Sequence, residues 1–87
     1  MQFKKGQLMV KVKYKYIKLH HTIKLGSKTT LELEPQYLKS FGITAEVFTT
    51  EFGLVVHAKA EVRSSEEDEQ YKYLIPYAGV RHILLAD

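Results

Sequence analysis

Apolar residues first settle into a two-residue period over residues 8–16, where Leu8, Val10, Val12, Tyr14 and Tyr16 alternate with Lys11, Lys13 and Lys15. Side chains of a strand point to opposite faces in turn, so this pattern predicts a half-buried strand. From Ile17 onward the apolar positions turn odd: Ile17, Leu19, Ile23 and Leu25 stand against Lys18, His20, Thr22 and Lys24. One strand can change face in this way through a β-bulge near Tyr16 and Ile17, with both residues mainly buried. A bulged strand of this length bends, which predicts a curved sheet.

Gly26-Ser27-Lys28 reads as a turn into a second strand over residues 29–34, with Leu31 and Leu33 inward and Thr30, Glu32 and Glu34 outward. Pro35 then suits the first position of a helix of about two turns, whose apolar face is Tyr37, Leu38 and Phe41. Gly42 falls where a helix ends in the left-handed conformation. Residues 45–50 and 54–63 flank Glu51-Phe52-Gly53 as a second hairpin, with Leu54, Val56, Ala58, Ala60 and Val62 on one face. The small Ala58 and Ala60 leave room for another element, and the helix is the expected neighbour. After the polar, acidic residues 64–70, two short strands over 71–75 and 80–85 flank Pro76-Tyr77-Ala78-Gly79. The fold class predicted is α+β and β-rich: a small barrel or a strongly curved antiparallel sheet with one short helix.

The 87 residues fit a single domain, 1–87, and the 45% hydrophobic content separates it from a disordered chain. No cysteine is present, which excludes disulfides and thiolate metal sites. No apolar run reaches the roughly 18 residues of a membrane span, and the opening lacks an uninterrupted apolar signal segment. The expectation is a soluble, uncleaved, intracellular protein without a membrane partner.

The net charge of +3 is unevenly spread: residues 1–28 hold eight Lys and no acid, 29–63 sum to −2 and 64–87 to −3. This makes the first strand the main candidate for function. Lys11, Lys13 and Lys15 project about 6.7 Å apart, and the bulge keeps Lys18 and Lys24 on the same outer surface, where a polyanion could lie. Lysines on a strand face equally serve solubility and discourage edge pairing. Tyr14 and Tyr16 are expected on the opposite face, away from these lysines, so the first strand offers no base-stacking platform. Tyr71, Tyr73 and Tyr77 read as packing residues.

His20, His21, His57 and His82 show no metal-ligand spacing, and adjacent His20 and His21 face opposite ways in a strand. No phosphate loop or nucleophile–base motif is present, so no cofactor, metal or catalytic residue is expected. Residues 64–69, Ser-Ser-Glu-Glu-Asp-Glu, read as a solvated loop. The function expected is a non-enzymatic binding module for nucleic acid or a nucleic-acid-handling complex, through Lys11, Lys13, Lys15, Lys18 and Lys24. The alternative is a protein-binding adaptor, inhibitor or assembly subunit of viral or mobile-element type, with an exposed strand added to a partner or self-association into a homo-oligomer.

Residues 24–57, with Leu31-Glu32-Leu33-Glu34-Pro35, the helix at Tyr37 to Phe41 and Gly42-Ile43, resemble the swapped-hairpin unit of AbrB-type transcription regulators. That resemblance implies dimerisation and DNA binding by basic strand and loop residues. It covers under half of the chain, and Ala45-Glu46 stands where the family has Gly-Asp. Residues 73–77 and 80–84 are similar to the closing strands of Sm-like barrels, without that family's internal Gly and Asp/Asn signatures.

Overall fold

A computed structural model describes residues 9–26, 28–61 and 69–87. The first strand does not stay in one sheet. It divides at Lys13 into β1 (Val10–Val12) and β2 (Tyr14–Leu25). β1 is an edge of a four-stranded sheet, order β1-β4-β5-β6, while β2 is the centre of a three-stranded sheet, order β3-β2-β7. All the pairings are antiparallel. The remaining elements are β3 (Lys28–Leu33), helix α1 (Pro35–Lys39), β4 (Ile43–Thr49), β5 (Gly53–Ala60), β6 (Glu69–Pro76), a 3₁₀ turn (Tyr77–Gly79) and β7 (Val80–Leu85). The structure is therefore β-rich with one short helix, but neither sheet closes into a barrel.

The chain passes between the sheets at Lys13, through α1, and through the 3₁₀ turn. Switching sheets in this way lets one strand serve two layers whose inner faces share a core. Ile17, Leu19, Leu25 and Leu33 from the three-stranded sheet pack into one cluster with Val47, Leu54 and Val56 from the other. Tyr14, 8% exposed, spans the layers: its hydroxyl donates to the Ala45 carbonyl of β4 at 2.9 Å. Tyr73 of β6 makes the reciprocal tie, its hydroxyl donating to the Lys24 carbonyl of β2. Tyr71 and Tyr73 both pack against the core, the role expected for these rings.

The change of face in β2 is present, with its irregular pairing between Tyr14 and Tyr16 against β7. Ile17 is fully buried, whereas Tyr16 is only half-buried and lies outward. The extra residue thus falls just before Tyr16 and turns that ring to the side of Lys18. A second irregularity separates Lys18 from Ile23 in the pairing with β3, where five steps along β2 match two along β3. The surplus is His20, His21 and Thr22, all exposed. On β3 the expected pattern shifts with it: Thr30 is buried, not outward. Its hydroxyl donates to the Glu32 carbonyl and accepts from the Glu32 N–H, satisfying backbone groups where the ladder breaks.

Helix α1 is shorter than its apolar spacing predicts. Glu34 caps it by accepting from the Tyr37 N–H at 2.8 Å, and Gly42 leaves it at φ 75°. Only Leu38 is buried; Tyr37 and Phe41 turn to solvent as an edge-to-face pair with the Lys28 ammonium over both rings. At Ala60 the close neighbour is the turn at Gly26, not the helix: a Cβ on Gly26 would lie 3.1 Å from the Ala60 Cβ. The β4–β5 hairpin follows expectation, with Thr50 closing its turn through bonds to Phe52 and Gly53. The acidic loop expected over residues 64–70 lies largely outside the described residues; Glu69 and Gln70 open β6.

Candidate functional site

The strand switch distributes the five candidate lysines over both sheets. Lys11 extends from β1 and pairs with Glu46 of β4 at 2.8 Å. Lys13 occupies the break between strands, and Lys15 and Lys24 are exposed on β2. Lys18, half-buried on the outer face of the three-stranded sheet, pairs with Glu32 at 2.9 Å. The Lys18 hydrogen bond holds the Glu32 carboxyl below the usual range, helped by Tyr16. Two of the five cations are thus neutralised locally, and the row is not one continuous ribbon.

Tyr16 joins this outer face rather than the opposite one, because the bulge lies between it and Tyr14. Its ring sits 5.6 Å from that of His82, whose strand position is opposite Lys18. Lys18 and these rings therefore share a surface, with the Glu32 carboxylate among them.

A broader constellation lies on the outer face of the four-stranded sheet, where register aligns side chains from four strands. Across one row run Lys11, Phe48, Val55 and Leu74; across the next run Glu46, His57 and Lys72; across the third run Thr44, Lys59 and Gln70. Their opposites on the same strands, Val47, Leu54, Val56 and Ile75, fill the core, so strand alternation turns these rows outward. The Phe48 and His57 rings are 5.1 Å apart at 54°. Beside them is a shallow groove of about 430 Å³ lined by Thr44, Glu46, His57, Ala58, Lys59 and Gln70.

The electrostatics of this face are dominated by cations. Lys11, Lys59 and Lys72 share these rows with one carboxylate, Glu46. The Lys11 hydrogen bond, then its charge, holds the Glu46 carboxyl below its ordinary range, with smaller contributions from His57 and Lys59. The face can therefore present fixed positive charge next to half-exposed ring surface. Residue spacing placed Val55, His57 and Lys59 on one side of β5, but their neighbours Glu46 and Lys72 became visible only with the register.

The histidines lie apart: His20 and His21 in the excursion of β2, His57 on the four-stranded sheet and His82 on β7. No helix among the described residues is long and apolar enough to cross a membrane. Comparison of the chain with protein-family models, with curated proteins and with solved structures gives no match. The AbrB-type and Sm-like resemblances therefore rest on the short segments that carry them, the latter on β6 and β7, which lie in different sheets.

Proposed function

We propose that the protein is a non-enzymatic, intracellular binding module that takes single-stranded nucleic acid on the outer face of its four-stranded sheet. The observation that carries this is the Phe48–His57 ring pair set among Lys11, Lys59 and Lys72. Single-strand binders combine these two elements: rings stack the bases and cations follow the phosphates. A duplex keeps its bases stacked away from such rings, so it would gain only the charge contacts. Lys15 and Lys24, exposed on the other sheet, would add general attraction but no stacking.

With Lys11 held by Glu46, the two phosphates neutralised by Lys59 and Lys72 predict a log–log salt slope of about −1.4 for a single strand, at roughly 0.7 per phosphate. Fluorescence anisotropy with a labelled oligothymidine at low salt tests this. Lys59→Gln and Lys72→Gln should each reduce the slope by about 0.7, while His57→Ala should weaken binding by about 1 to 3 kcal/mol with the slope unchanged. Equal affinity in wild type and all three variants would refute the assignment.

The second reading, a protein-binding adaptor, draws on the exposed Leu74, Leu84 and Leu85 of the edge strands β6 and β7. It predicts a salt-sensitive association rate with a protein partner and no affinity for the oligonucleotide.

A further inference from the structure

Each sheet has two edges, and the four edge strands are not equally protected. β1 is three residues long and carries Lys11; β3 carries Lys28 and Glu32; β6 has Lys72 within it and ends in Pro76. Short length, charge and proline are the usual means by which an edge resists pairing with another chain. β7 reads Val-Arg-His-Ile-Leu-Leu, and Leu84 and Leu85 are 56% and 61% exposed. Among the described residues β7 pairs with β2 alone. Its pairing with β2 is irregular between Val80 and His82, where the extra residue is on β7, and again between Leu84 and Leu85, where the extra residue is on β2, so β7 itself runs without an insertion from His82 to Leu85.

We infer that the protein forms a two-fold dimer by antiparallel addition of β7 to β7 of a second copy, with Leu84 at the axis. Three observations select this occupant and this register. The Ala86 N–H donates to the Lys13 carbonyl, so strand alternation turns the backbone groups of Ile83 and Leu85 toward the free edge. Placing Leu84 on the axis then lets Ile83 and Leu85 of the two copies exchange those bonds, and sets exposed Leu85 beside Ile83. Continued past the strand, the same register brings Arg81, at the irregular start of β7, toward Asp87 of the second copy, once on each side of the axis. No like charges face each other.

On the outer face the match continues inward. Tyr16 lies beside Leu84 in the sheet, so the dimer runs Tyr16, Leu84, Leu84 and Tyr16 across the four central strands of a six-stranded sheet as one apolar row. An antiparallel pair of identical strands closes on itself, which gives a dimer rather than an open filament. Pairing of β7 with β6 of another copy would instead propagate. The inference does not rest on nucleic-acid binding, because the proposed binding face belongs to the other sheet.

Sedimentation equilibrium tests it directly. The wild type should approach twice 10.1 kDa, about 20 kDa, with increasing concentration. Leu84→Lys, which sets two ammonium groups together at the axis, should raise the dimer dissociation constant by at least about 100-fold. Arg81→Asp and Asp87→Arg should each weaken the dimer, and the double reversal should restore it to about wild-type strength. Far-UV circular dichroism verifies that each variant is folded, and these exposed charge changes leave the core untouched. A wild-type mass of 10.1 kDa up to about 1 mM, a mass growing beyond the dimer, an undiminished dimer in folded Leu84→Lys, or charge reversals without effect would each overturn the proposal. Monomers that bind oligonucleotide would refute dimerisation alone; dimers without such binding would refute the function alone.

Discussion

Replacing Tyr14 by Phe removes one oxygen and tests how the two sheets are held together. The hydroxyl donates to the Ala45 carbonyl at 2.9 Å from a side chain that is 8% exposed. Loss of this bond should cost about 1 to 2 kcal/mol near neutral pH, part of it from leaving the carbonyl without its partner. At this chain length each kcal/mol corresponds to a fall of about 4 to 8 °C in Tm. Alkali should then invert the effect. Burial pushes the Tyr14 phenol up to about 12 from 10.0, so the unfolded chain loses this proton before the folded one. A raised pKa contributes stability below the unfolded value and loses it as pH rises through the folded value. Two units at about 1.36 kcal/mol each amount to on the order of 2 to 3 kcal/mol. The advantage of wild type over Tyr14→Phe should therefore be constant to about pH 9, shrink above 10, and vanish or reverse by about 12. Denaturant unfolding followed by far-UV circular dichroism measures both proteins, and taking their difference cancels the lysines common to both. A difference that stays flat from pH 7 to 12 would refute the buried hydrogen-bonded phenol.

Gly53→Ala should be far more damaging than Gly42→Ala in the same unfolding assay. A Cβ on Gly53 would lie 2.2 Å from the Ile75 carbonyl oxygen, forcing β5 and β6 apart at a cost of about 3 kcal/mol or more. Gly42, at φ 75°, where a Cβ would meet Glu61 only at an ordinary contact distance of 3.5 Å, should cost about 1 to 2 kcal/mol. Glu46→Gln should tighten oligonucleotide binding and steepen its salt slope by up to about 0.7, because it removes the carboxylate that occupies Lys11; weaker binding would contradict this. By NMR titration the Glu32 and Glu46 carboxyls should ionise below the ordinary range, and the contribution of their pairs should be present above the unfolded pKa and lost as pH falls through the folded one. Ordinary values for both would show that the pairs do not persist in solution.

Period-2 alternation made β5 and most of β2 legible, β-branched content marked β4, the turn residues from Pro76 to Gly79 set off β7, and Gly42 marked the turn that follows α1. The division at Lys13 was not legible, because a strand that changes sheets keeps the same alternation as one that stays. Likewise, the excursion at His20, His21 and Thr22 consists of polar residues, which leave no apolar phase to interrupt. Tyr37 and Phe41 fit a helical face, yet the helix ends at Lys39 before that face can be buried. For the candidate site, alternation placed His57 and Lys59 on the outside of β5, but Phe48, Glu46 and Lys72 join them only through register across three strands. The lysine row of the first strand drew notice because it is contiguous in sequence; the bulge and the sheet change then separate its members in space.

Backbone NMR shift mapping with unlabelled oligothymidine locates the surface on which a nucleic acid strand lies. Dose-dependent perturbations are expected to concentrate on Thr44, Glu46, Phe48, Val55, His57, Lys59, Gln70 and Lys72, with small changes on β2 and β7. Perturbations centred on Lys15, Lys18 and Lys24 of β2, or none at millimolar oligonucleotide, would contradict this placement.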